Sequence, residues 1–170
     1  LALGWCTYNG DHISMYGVNS GVPKTLVRHL VEWAARCKTD GETAKILLDV
    51  LDTPISSELL PHSNDSISQK TEDIVGPYEL HDFFLYHFLR FGYSADKMLL
   101  FAKKSFENDY SVENIKKWLN VFFSRFFSQQ FKRSCMPDGV KVGNIDLSPR
   151  GSLRMASDIR LCGEMCGLKK

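Results

Sequence analysis

Two stretches of this sequence carry residue types and spacing suited to holding a charged ligand. The first is G-V-N-S-G-V-P-K-T, Gly17 to Thr25, a glycine-rich run that leads into an apolar-periodic segment. Free N–H groups and the dipole at a helix start attract anions, and Lys24 falls in that first turn. A Walker loop, however, needs Gly directly before its Lys, so that consecutive N–H groups close around phosphate. Val22 and Pro23 intervene here and Pro23 removes one donor, so the run is not a Walker loop. Lys24 is then either a phosphate contact or a solvated side chain. The second stretch is Lys132-Arg133, directly after the apolar run F-F-S-R-F-F-S-Q-Q-F. A positive pair there favours a helix C-terminus, or it clamps a phosphate or charge developing in a reaction.

Other chemistry-bearing residues are sparser. Trp5 and Tyr8, in a glycine-flanked opening segment, suit stacking on a planar ring, or they plug a core or an interface. The phenylalanine run has helical spacing and reads as core. Cys162 and Cys166 form C-x-x-x-C, but no His or second Cys pair lies near enough to complete a zinc site. The five histidines (His12, His29, His62, His81, His87) include no H-E-x-x-H pattern, and no Ser/His/Asp or Cys/His set is visible from spacing.

The elements that must position these residues are mostly helical. Residues 1–23 read as loop, with one short strand predicted around His12 to Val18. Pro23 opens a helix in its first turn, and Leu26, Val27, Leu30, Val31 and Ala34 give that helix one buried face. A second helix is predicted from Glu42 to Leu51 with Asp40 at its cap and Pro54 beyond it. Thr53 to Gly76 is a long polar segment without periodicity, of the kind that is functional or disordered. Three helices follow: Pro77 to Phe91, stopped by Gly92; one capped by Ser94; and one capped by Ser111 that reaches about Gln130. Ile115, Leu119, Phe122 and Phe126 form the seam of the last. Lys132 onward, rich in Gly, Pro and Arg, reads as an ordered wrapping arm or a tail.

Composition sets the limits. At 170 residues and 44% hydrophobic content the chain has the makings of one folded domain, or a large piece of one. The net charge of +1 excludes a strongly basic nucleic-acid coat and an acidic tail. Charge is uneven, with ten acidic residues from Asp40 to Asp82 against Lys45 and Lys70. No stretch reaches the ~18 apolar residues of a membrane span. Five cysteines, an odd number and widely spread, fit a reduced, cytoplasmic protein. The opening LALGW, mid-pattern and without Met, leads us to expect a piece of a longer protein.

Taken in order, LALGW, VPKTLVRHL, TEDIVGPYELHDF, LRFGY, QQFKRS, PDG-KVG and LSPRG make the chain resemble the C-terminal part of glutamine-dependent NAD+ synthetases, from Leu1 to about Asp158. The resemblance implies that residues 1–170 are the C-terminal portion of the synthetase domain. That domain is an α/β, Rossmann-like fold of the adenine-nucleotide α-hydrolase type. The piece itself is expected to be mainly α, with one or two short strands. The family adenylates deamido-NAD+ with ATP and Mg2+, then amidates it with ammonia from a glutaminase domain. Its pyrophosphate loop, Ser-Gly-Gly-x-Asp-Ser, does not occur in these residues, nor does the glutaminase triad. The Glu that holds Mg2+ in the family would fall immediately before Leu1.

By the resemblance, Trp5, Cys6, Thr7 and Tyr8 fall where the family contacts deamido-NAD+, and so does Lys132. Lys24 and Ser56 fall at ATP contacts, and Glu72 and Asp73 lie in the loop that folds over the site. Other branches carry Lys and Asp near positions 8 and 15, where this chain has Tyr8 and Met15, so the glutamine-dependent geometry is implied. No catalytic residue and no metal ligand is assigned, and the chain alone is expected to bind no cofactor and to have no turnover. Expected partners are deamido-NAD+, ATP, ammonia and further copies of the chain as a homo-oligomer, without nucleic acid or membrane. The alternative is a helical interaction or oligomerisation module without catalysis.

Overall fold

The computed structural model describes residues 1–6, 10, 14–53 and 71–161. Among these residues every regular element is a helix and none is a strand. The predicted strand at His12 to Val18 lies partly outside them, and its described part, 14–18, is irregular. No described helix is long and apolar enough to cross a membrane. The chain divides into two units, Leu1–Val22 with Leu80–Lys170, and Pro23–Glu79.

The second of these units holds α1 (Lys24–Cys37), α2 (Gly41–Asp52) and α3 (Thr71–Val75). Pro23 is the N-cap of α1, one position earlier than expected, and its carbonyl accepts from the Val27 N–H at 3.0 Å. Asp40 caps α2 as predicted, its carboxylate accepting from the Thr43 N–H at 3.1 Å. The hydrogen bonds from Thr43 hold the Asp40 carboxyl below its ordinary value.

The predicted buried face of α1 is corrected by the structure. Only Ala35 is buried, while Leu26 and Leu30 are 42% and 49% exposed. α1 packs against α2, which itself buries no residue completely. Two helices have one mutual seam, so the remainder of each apolar stripe stays on the surface.

The predicted aperiodic segment 53–76 is also revised at its end. Residues 54–70 lie outside the described residues, but Thr71–Val75 is helical. There Glu72 accepts the Tyr78 N–H at 3.3 Å, and Gly76 turns the chain at φ +97.

The other unit is built on α4 (Tyr78–Phe91, from Leu80 onward), α5 (Ala95–Ser105) and α6 (Val112–Ser128). Gly92, at φ +63, ends α4 in a conformation open to glycine at little cost. Ser94 and Ser111 accept the N–H groups of Lys97 and Asn114, as the sequence predicts. Leu80, Phe84, Met98, Ala102, Ile115, Leu119, Phe122 and Phe126 are fully buried and make the core. Phe88 meets Phe122, Phe123, Phe126 and Phe127 edge to face. The phenylalanine run is therefore core, as expected.

At Gln129 the backbone leaves the helix (φ −100, ψ 13), and the short α7 (Gln130–Ser134) follows instead of one continuous helix. The residues beyond it wrap without regular structure and bury Met136, Ile145 and Leu147.

Candidate functional site

The corner between α6 and α7 receives the first six residues of the chain. Gly4 lets them approach, since it adopts φ +59 and a Cβ there would stand 2.4 Å from the Gln129 Cβ. Three basic side chains then hold successive carbonyls. Arg125 Nε donates to the Leu3 carbonyl at 3.1 Å, and Arg133 donates to that of Ala2. Lys132 Nζ donates to the carbonyls of Gly4 and Cys6, at 2.9 and 2.8 Å. Trp5 lies between the two residues that Lys132 grips. One face of its ring meets the Arg125 guanidinium, 5.2 Å from the centroid, and Trp5 remains 36% exposed.

Arg133 has the most enclosed charge of the three, at 1% exposure. Gln130 Oε1 accepts from its Nε at 3.0 Å and from a terminal nitrogen at 2.7 Å. The Phe126 carbonyl, in the last turn of α6, accepts another of its N–H groups, and the Phe126 ring lies 4.2 Å beneath the guanidinium. Burial lowers the Arg133 guanidinium to about 10. Burial also holds Arg125 below its ordinary value, with Cys6 partly offsetting it. Arg133 ties the last turn of α6 to Ala2, and Lys132 holds the backbone on both sides of Trp5.

The structure accordingly brings Trp5, Cys6 and Lys132 into one place. Thr7, Tyr8 and Ser56 lie outside the described residues. Lys24 belongs to the other unit, where it is exposed as the first residue of α1. Glu72 and Asp73 are also exposed there, on α3. In the run before Lys24, the N–H groups of Gly17, Ser20 and Val22 go to the carbonyls of Asp138, Gly17 and Asn19. Two of those donors close turns and the Gly17 N–H joins a distant segment, in keeping with the rejection of a Walker loop. Among the described residues, no group of three or more His, Cys, Asp or Glu side chains could hold a metal ion.

Arg125 and Gln130 escaped the sequence reading. The signal was present in part, as an arginine among four phenylalanines on a helix whose seam is buried. A charged side chain in that setting must find acceptors, but which ones depends on a segment more than a hundred residues away.

A glutamine-dependent NAD(+) synthetase of Mycobacterium tuberculosis is 42% identical to this chain, and that of Mycobacterium leprae 40%, each over 94% of it. Over nearly its whole length, the chain is related to the glutamine-dependent NAD(+) synthetases. The synthetase of Acinetobacter baylyi is 34% identical over 52% of the chain. The match covers 26% of each mycobacterial synthetase, so the chain spans about a quarter of the length of these curated relatives. No family model matches it. The resemblance carried by the seven sequence motifs is therefore borne out by similarity over 94% of the chain.

Proposed function

We propose that the chain is part of the synthetase domain of a glutamine-dependent NAD+ synthetase. The parent enzyme adenylates the nicotinate carboxylate of deamido-NAD+ with ATP, releasing pyrophosphate, and ammonia from glutamine then displaces AMP. The similarity to synthetases over 94% of the chain carries this reading. The corner at Trp5 supports it physically. The indole of Trp5, 36% exposed, met by a guanidinium and held at both flanks by Lys132, is of the type that stacks on a planar ring.

In this reading Trp5, Cys6, Thr7, Tyr8 and Lys132 form the deamido-NAD+ side of the pocket, and Lys24 and Ser56 contribute to ATP. The parent domain is Rossmann-like and holds Mg2+ through residues other than these, and the enzyme works in the cytoplasm as a homo-oligomer. The isolated chain has no turnover; ATP–pyrophosphate exchange measured with it would overturn that point.

Calorimetric titration of the chain with deamido-NAD+ tests the site. The expected result is saturable binding, weakened about two- to tenfold by Trp5→Ala, the order of a lost stacking contact. Binding unchanged in Trp5→Ala and Lys132→Met would sink the assignment. A second reading, a helical interaction module, draws on the exposed Leu26, Leu30 and Trp33 of α1. Self-association without any nucleotide binding would favour it.

A further inference from the structure

One acidic side chain in the unit that holds α4 to α7 has no role in the reading above. Asp146 is 5% exposed, and among the described residues its Oδ1, shielded from solvent, has no hydrogen-bond partner. Two glycines flank it. A Cβ on Gly21 would lie 3.4 Å from that Oδ1, 3.6 Å from the Ile145 carbonyl oxygen and 3.7 Å from that of Val140. On the other side, a Cβ on Gly151 would lie 3.4 Å from Oδ2. Three oxygens, one of them a carboxylate's, thus face a single point beside Gly21, and the missing side chain keeps that point open.

The basic side chains of the same stretch are engaged elsewhere. Arg150 donates to Asp138 and to the Met136 carbonyl, and Lys141 Nζ donates to Ser152 Oγ at 3.3 Å. A carboxylate oxygen removed from water without a donor or counter-charge is costly, so such groups are paired in folded proteins. A small positive ion would complete this one. Carboxylate and carbonyl oxygens select hard cations over transition metals. A single carboxylate balances one positive charge, and among the described residues no group of three or more His, Cys, Asp or Glu side chains forms here.

We propose that Gly21, Val140, Ile145 and Asp146 enclose a binding site for a monovalent cation, an alkali ion or ammonium. The ion ties the turn at residues 17–22 to the wrapping segment 136–151, two stretches already joined by the 2.6 Å bond from Gly17 N–H to the Asp138 carbonyl. The site is independent of the nucleotide corner, and so is its test.

The thermal midpoint of the chain is measured in choline, sodium, potassium and ammonium chloride at equal ionic strength. At about ten times its dissociation constant, the preferred ion raises the midpoint by roughly 3–6 °C over choline. Asp146→Asn removes the ion dependence. Gly21→Ala removes it too while keeping the carboxylate, because its methyl group takes the space at ordinary contact distances. Equal midpoints in all four salts would overturn the proposal, as would an ion response retained in Asp146→Asn. Crystals grown with rubidium give a second readout: an anomalous peak beside Asp146 supports the site, and an ordered water only rejects it.

Discussion

At the scale of single residues, the informative side chain is Lys132. Its ammonium donates to two backbone carbonyls, those of Gly4 and Cys6, and so fixes the chain on both sides of Trp5. Hydrogen bonds from a charged donor contribute about 1.5–3 kcal/mol each, and the half-buried position limits what solvent can replace. Lys132→Met is expected to lower the unfolding free energy by about 1–3 kcal/mol in urea titration. Lys132→Arg should retain part of that difference, because one acceptor stays within reach of the fork. A loss confined to ligand affinity, with unchanged stability, would show that the two carbonyl contacts carry no load. Lys132 drew notice in the sequence because its motif is local. The work of Arg133 was not, since its acceptors at Ala2, Phe126 and Gln130 come together only once α6 ends at Gln129. Asp146 was equally opaque, because its setting is made by glycines 125 residues before and five after it.

At the scale of elements, local rules and tertiary rules part company. Caps read correctly: Asp40, Ser94 and Ser111 each accept the N–H three residues on, a contact fixed by a few consecutive residues. The seam of α6 also read correctly, because its apolar positions outnumber any alternative face. Phe126 is fully buried at the centre of stacked and edge-on rings, so Phe126→Ala should cost about 3–5 kcal/mol in equilibrium unfolding. The face of α1 did not read correctly. Periodicity says which residues are apolar together, whereas burial depends on what lies opposite. Asp40 offers a pH test of its cap. Its carboxyl is lowered from 3.8 in the fold, so the contribution is complete above that value and is lost as pH falls through the lower folded one. Asp40→Asn caps equally well without titrating. The helical signal of the native chain should therefore fall more steeply than that of Asp40→Asn as pH drops below about 4. Parallel curves would remove the cap from the acid transition.

At the scale of the whole molecule, what stands out is apolar surface that the described residues leave exposed. Leu26, Leu30 and Trp33 recur along α1 at four- and three-residue spacing and are 42%, 49% and 52% exposed. On α2, Ile46 and Val50 are each 59% exposed and again four residues apart. Scattered apolar residues on a surface need no explanation, but helical stripes of this kind mark an interface. The chain spans about a quarter of its curated relatives, and such stripes are what a helix shows when its packing partner lies in other residues. Without that partner, the same stripe meets its copy. The chain is therefore expected to associate with concentration, visible in sedimentation velocity as a weight-average mass rising above 19.4 kDa. Leu26→Glu with Leu30→Glu should return it to the monomer while leaving the helical content unchanged, since both side chains already face water for nearly half their area. A native chain that stays monomeric at high concentration would mean that α1 and α2 satisfy their apolar faces between themselves, and the stripe would then have no partner to find.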